Sequence, residues 1–369
     1  MKRYSETVLN GHPDKFCDLL ADRIIRYAYR TDPLAYAQVE VSIWSDQLFL
    51  TGAVVTRKKI ETSLREMVTQ LGFEIGYTPQ NHIDVNHYHI EDHICWIIDD
   101  PEKYASYVND QCIVTAYAGY DAKTRYLPPE HFGSWYFREQ IIRAISSGPL
   151  QGHGPDGKVL LVMDENRDEW QIKTLLLTLQ QQKEIPFTDF VMACNKALHD
   201  ACLNLQKHDS RWEGSWNEMN VLVNPNGPLI NAGSDGDNGQ TGRKLVMDYY
   251  GPRIPLGGGA LYGKDLAHID RLAAFTARKY ALELMHEGAK DALIEVCYAP
   301  GMNLPLDVSV KTDIRPQQDP YQYFNFDEMI RNMDISNLEY DMGGLGTFYN
   351  SGLSFNRQST SVKNMRICE

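Results

Sequence analysis

Two glycine-rich turns, GSDGDNGQTGRK at 233–244 and GGGALYGKD at 257–265, gather charge in a way that ordinary surface turns do not. Glycine lets backbone approach a ligand closely and supplies turns at positive φ. The first turn ends in Arg243 and Lys244, the second in Lys264, and Asp235, Asp237 and Asp270 stand among them. Cations suit phosphate oxygens and carboxylates suit a divalent ion, so Asn231 to Asp270 is expected to cradle an oligophosphate. Tight turns between strands would explain the glycines but not this mixture of charges.

A second segment opens the chain, Gly11-His12-Pro13-Asp14-Lys15. Pro13 suits a first helical turn, and Phe16, Leu19, Leu20, Ile24 and Ala28 follow with helical period. His12 and Asp14 then sit at a helix N-terminus, whose free N–H groups favour a ligand phosphate. Asp18 shares a face with Asp14 and reads either as a metal ligand or as a residue that solvates the helix. Glu40 lies within a strand, either exposed on the solvent side or bound to a cation. His82, His87, His89 and His93 form a histidine-rich stretch in which His87 and His89 would share one strand face as a candidate transition-metal pair, or simply be exposed. Asp110 precedes the apolar run CIVTAYAGY, and the loop GHGPDGK delivers Asp156 and Lys158 into the apolar strand VLLVM. Acids at strand mouths are where ligand groups gather.

The elements that must position these groups follow from periodicity. Tyr36–Val55 is a hairpin turning at Asp46-Gln47, and helices are expected over 56–71 (capped by Gly72), 127–147, 187–205 and 266–288. Strands are expected over 159–163, 170–179, 218–223, 292–299 and 306–312, whereas the last 50 residues, with Gly343-Gly344, carry little signal. Strand pairs alternating with helices predict an α+β fold of three similar units, each a sheet with helices on one face. The expected partition is 11–112, 1–10 with 113–220, and 221–369.

At 369 residues the chain is too long for one simple core. A formal net charge of -13 argues against a generic nucleic-acid surface, so the local cations point to a small anionic ligand. Seven scattered cysteines with no CxxC spacing fit a reducing compartment. The chain shows no signal peptide and no apolar run of membrane-spanning length, and a cytoplasmic location without membrane contact is expected.

Taken together, GHPDK, GDNGQTGRK and GGGALYGKD, in that order and at these separations, resemble the S-adenosylmethionine synthetase family over residues 3 to 355. The resemblance implies three similar α+β domains, dimers or dimers of dimers with each active site at the dimer interface, and ATP and methionine as substrates with two Mg²⁺ and one K⁺. It implies attack of the methionine sulfur on C5′ of ATP, release of the whole triphosphate, and its hydrolysis to pyrophosphate and phosphate. Carried over by motif, His12 would donate toward the leaving group, and Asp14 and Asp270 would hold magnesium, with Glu40 on potassium. Lys158, Arg243, Lys244 and Lys264 would bind the triphosphate, with Gly258 and Gly259 in the loop and His268 where a further lysine is usual. Asp110, Asp156 and Asp237 match acids around methionine and adenosine. A triphosphate leaving group needs cations before it departs, whereas a neutral thioether needs no strong base.

Several positions depart from the family pattern. The family glutamate near the amino-acid moiety is matched by Val54, the interval between Trp96 and Asp110 is too short for the usual mobile loop, Leu229 replaces an adenine-stacking phenylalanine, and Pro300 replaces a neighbouring apolar residue. These leave open a different acceptor, a triphosphate-hydrolysing ATPase, or a non-catalytic nucleotide-binding partner of a true synthetase.

Overall fold

Strand β1 (Lys2–Val8) leads into helix α1 (Pro13–Thr31), and β2 (Tyr36–Trp44) turns back as β3 (Gln47–Thr56) ahead of α2 (Leu64–Ile75). Strand β4 (His89–Ile98), the one-turn helix α3 (Glu102–Ala105), β5 (Cys112–Gly119) and α4 (Pro129–Ser147) follow. The chain continues through β6 (Gly157–Asn166), β7 (Glu169–Leu179), α5 (Phe187–His208), β8 (Trp212–Glu213), β9 (Asn220–Val223) and β10 (Gly239–Gln240). After α6 (Leu245–Asp248) come α7 (Ile269–His286), β11 (Asp291–Tyr298) and β12 (Asp307–Thr312). The computed structural model describes residues 1–332, 348 and 349, except 62, 82, 83 and 168; His82 and Gly343-Gly344 lie outside the described residues.

The expected α+β architecture is present. Among the described residues there are three sheets: β1-β6-β7-β8 with β9 also on β7, β10-β2-β3-β4, and β12-β11-β5. Strand β5, placed in the middle unit by the expected partition, instead pairs antiparallel with β11 along its whole length. Helix α1 covers the second sheet, its Phe16, Leu20 and Ile24 joining Val39, Val41 and Ile43 in one core. Burial of such side chains contributes roughly 1.5–3 kcal/mol each.

Three local expectations change. The helix expected over 56–71 begins at Leu64, because Thr56 still pairs with Ile98 in the parallel β3–β4 ladder. Gly72 lies inside that helix against Val85, and Gly76, at φ 98°, ends it in the left-handed region that favours glycine. His87 sits in a short turn beside Asp84 rather than on β4, so it and His89 do not share a strand face and the candidate transition-metal pair is not formed.

One buried base sets an acid limit on stability. His131 of α4 is 1% exposed, Ser5 Oγ lies 3.0 Å from its Nδ1, and burial pushes its pKa down to about 3. Its folded pKa is below the unfolded one, so its stabilising contribution is complete above pH 6.5 and is lost as pH falls toward 3. That window corresponds to about 1.4 kcal/mol per pH unit. Urea titrations from pH 7.5 to 5 should show His131→Gln losing stability less steeply than the parent by one proton; parallel slopes would refute the assignment. The comparison is needed because buried Asp156, raised to about 6, contributes with the opposite sign.

Candidate active site

Most of the charged residues singled out in the glycine-rich turns and the GHPDK segment fall into two clusters, one at each of two helix N-termini. At α1, His12 is the N-cap: its Nδ1 accepts the Asp14 backbone N–H at 3.2 Å, with φ -64° and ψ 133°. Because Nδ1 is the acceptor, the ring proton of the neutral imidazole resides on Nε2. Burial lowers the His12 pKa to about 3, with Lys244 and Lys158 adding to the effect, so the ring stays neutral. Its Nε2 is buried and has no hydrogen-bond partner among the described residues. A buried donor without an acceptor carries a desolvation cost of roughly 1–3 kcal/mol, which a ligand oxygen would remove.

Asp14, beside it, takes the Gln240 N–H at 2.9 Å on Oδ1 and the Lys244 ammonium on Oδ2, with Arg243 Nε 3.5 Å away. Burial alone would raise this carboxyl, but the bonds from Lys244 and Gln240 outweigh it and hold the pKa below the ordinary value. Asp156 lies at the edge of this cluster, pushed up to about 6 by burial although the Gly233 N–H binds it at 2.8 Å. Asp237 is exposed, and its charge adds to that rise.

The N-terminus of α7 repeats the arrangement. His268 is the N-cap, its Nδ1 accepting the Asp270 N–H at 3.2 Å with φ -64° and ψ 131°, and Lys264 pairs with Asp270. Asp110, exposed, faces His268 Nε2 at 4.0 Å. Burial lowers the His268 pKa, with Lys264 reinforcing it. Asp110, His268 and Asp270 present donor atoms within 4.8 Å of one another and can hold a divalent cation. With Nδ1 committed to the cap, His268 offers an N–H from Nε2 and is not itself a metal ligand in this arrangement. Gly259 presses against Asp270, where a Cβ would meet Cγ at 2.7 Å, while a Cβ on Gly258, at φ 104°, would meet nothing within 4 Å among the described residues.

Strand β2 joins the two clusters. Gln240 pairs with Ser42 at one end, Lys264 bridges Gln38 at the other, and Glu40 lies between on the same face. Burial raises the Glu40 pKa and the Lys264 charge opposes it. Cross-strand neighbours share a face, so Ala53, opposite Gln38, and Thr51, opposite Glu40, are presented beside Glu40. Val54 is 1% exposed and points into the α1 core, whereas Ala53 lies on the face that carries Glu40. The short interval after Trp96 is tied down: Tyr104 stacks on Tyr36 with centroids 5.8 Å apart, and Asn109 donates to the Tyr36 hydroxyl at 2.8 Å.

A cavity of about 350 Å³ opens beside the α1 cluster, lined by Glu6, Thr7, Arg243, Lys244 and Met247. A larger one, about 620 Å³, lies between Val54, Leu64, Ile90 and Trp96, and neither cluster contributes to it. The smaller cavity is lined by Arg243 and Lys244 of the α1 cluster, and convergent polar groups weigh more than size in a candidate site.

These features define an α+β protein with paired acidic and cationic clusters at two helix N-termini, a class suited to a polyanion and its cations. Comparison with known sequences resolves the class further. The S-adenosylmethionine synthetase N-terminal domain profile matches residues 2–95, and the C-terminal domain profile matches 231–338. An S-adenosylmethionine synthase of Methylobacterium radiotolerans is 32% identical over 323 residues, covering 83% of this chain and 79% of the relative. That of Rhodospirillum centenum is 30% identical over 317 residues (84% and 79%), and that of Acholeplasma laidlawii 28% over 324 (84% and 81%). The chain belongs to the S-adenosylmethionine synthetase family, and with it to the ATP-utilising transferases. No helix among the described residues is long and apolar enough to cross a membrane.

Proposed function

We propose that this protein is a methionine adenosyltransferase. A lone pair on the methionine sulfur forms the S–C5′ bond as the C5′–O bond of ATP breaks, the bonding electrons leave with the triphosphate, and the sulfur becomes a sulfonium. The released triphosphate is then hydrolysed to pyrophosphate and phosphate. The observation that carries this reading is His12 Nε2–H, a buried donor locked in one tautomer and without an acceptor among the described residues. Such a donor suits an oxygen that gains charge in the transition state.

Around it, Arg243, Lys244 and Lys158 would bind the triphosphate, joined by Lys264, His268, Gly258 and Gly259 from the α7 cluster. Asp14 and Asp270 would hold two Mg²⁺ and Glu40 a K⁺, with Lys244 and Lys264 paired to the two aspartates. Magnesium would supply Lewis-acid stabilisation of the leaving triphosphate. Asp110, Asp156 and Asp237 would face methionine and adenosine. The clusters meet β2 at Gln38 and Ser42, and the same sheet face exposes Trp44 (58%) and Phe49 (43%). This supports a homodimer, alone or paired into a tetramer, in which each active site joins the α1 cluster of one protomer to the α7 cluster of its partner. The localisation expected with this role is cytoplasmic.

The pinned segment around Tyr104 favours one alternative, an enzyme that uses another acceptor or stops at triphosphate hydrolysis. Incubation with ATP, methionine, Mg²⁺ and K⁺ should yield S-adenosylmethionine by mass spectrometry, with phosphate release dependent on methionine. Phosphate release that ignores methionine, without that product, would select the alternative instead.

A further inference from the structure

Three carboxylates recur every four residues along α1: Asp14, Asp18 and Asp22. All three are buried, Asp18 and Asp22 completely. Asp18 therefore does not solvate the helix. Each takes a backbone N–H from a glycine-rich loop at 2.9 Å: Gln240 on Asp14, Gly242 on Asp18 and Gly263 on Asp22. The first two belong to the loop that carries Arg243 and Lys244, the third to the loop that carries Lys264.

Like charges in a row on a buried helix face are unfavourable unless each has a partner. Helix α1 does not need them to pack, since its apolar stripe already faces β2. Their charge is offset by two buried cations. Lys15 lies 2.8 Å from Asp18 and also contacts Asp248, and Arg271 binds both oxygens of Asp22 at 2.8 and 2.7 Å. On their other side the loops are held by β2, through Thr241 N–H to Val41 O at 3.0 Å and Val39 N–H to Gly263 O at 2.8 Å.

We propose that Asp18 and Asp22 are positioning residues: with Asp14 they form a carboxylate ladder that reads the amides of both glycine-rich loops and fixes where each loop presents its cations, Arg243 and Lys244 on one and Lys264 on the other. The functional half of this inference rests on the loops being a polyphosphate site. Asp18 reaches the ligand only through Gly242. It thereby sets where two cations stand without spending its own charge on the ligand, as a neutral acceptor at the same place would also do.

Hydrogen exchange on the ligand-free chain tests the ladder itself. Asp18→Ala should speed exchange across 239–244 about tenfold, the loss of one charged hydrogen bond, and leave α5 unchanged. Asp18→Asn, which keeps an oxygen for Gly242, should stay close to the parent. Calorimetry with inorganic tripolyphosphate and Mg²⁺ should show affinity falling in the same order. Equal exchange in Asp18→Ala and parent, an Asn variant as fast as the Ala variant, or unchanged tripolyphosphate affinity in a loosened loop would each overturn the proposal. Should the parent itself not bind tripolyphosphate, the polyphosphate reading and the positioning role built on it both fall, while exchange still decides the hydrogen bonds. If Asp18→Ala does not fold, Asp18→Ser withdraws the acceptor while keeping a polar side chain and enters the same comparison.

Discussion

His12→Asn is expected to lower ATP turnover by about 10²–10³-fold while the chain keeps its fold. The substitution separates two roles that one imidazole performs. Asparagine is among the best N-cap residues, and its side-chain oxygen can accept the Asp14 N–H now taken by Nδ1. Helix α1 should therefore stay capped, with a change in unfolding free energy below about 1 kcal/mol. What asparagine cannot do is extend a second donor to the place of Nε2, the buried nitrogen without a partner among the described residues. His12→Ala removes both roles and should lose about 1 kcal/mol of stability in addition to the same turnover. Steady-state kinetics and urea unfolding on the two variants distinguish the outcomes. Near-normal turnover in His12→Asn would mean that the histidine is only a cap, and the proposed leaving-group donor would have to be sought elsewhere.

Much of this site was legible in the sequence because its signals are side-chain types at fixed offsets. His12, Asp14, Lys244, Lys264 and Asp270 declare themselves by charge next to glycine or at a helix start, and the structure brings them into two clusters. The repetition of His-x-Asp at α1 and α7 was also present, as His12/Asp14 and His268/Asp270, but hidden by dissimilar surroundings: proline follows the first histidine and isoleucine the second. What periodicity could not supply is the partner of a carboxylate. Asp18 and Asp22 bind backbone amides more than 200 positions away, and an amide has no sequence identity to search for. Strand parity decides whether Val54 or Ala53 faces Glu40. A one-residue displacement exchanges the faces of a strand, and only the pairing of Gln38 with Ala53 reveals which residue stands beside Glu40. The late start of α2 has a similar origin, since Thr56 is committed to a ladder with Ile98, a residue no local window includes.

The largest stability effect should come from Arg271. Its guanidinium is buried, grips Asp22 with two nitrogens, and donates at 2.8 Å to the carbonyl of Lys264. Arg271→Met keeps much of the side-chain volume but leaves Asp22 charged and buried, with the Gly263 N–H as its one remaining hydrogen bond among the described residues. Removing one member of a buried ion pair costs about 3–5 kcal/mol, because the survivor has lost its water as well as its partner. Asp22→Asn combined with Arg271→Met removes the stranded charge and keeps an acceptor for Gly263, so the double variant should be more stable than Arg271→Met alone. Urea unfolding of the parent, both single variants and the double variant forms a cycle whose coupling term measures the pair. Simple additivity would show that water reaches Asp22 and that the pair is not energetically joined. Turnover should not recover with stability in the double variant, because the Lys264 carbonyl still lacks its donor. Recovery of both together would mean that Arg271 acts on the fold alone and does not help to place Lys264.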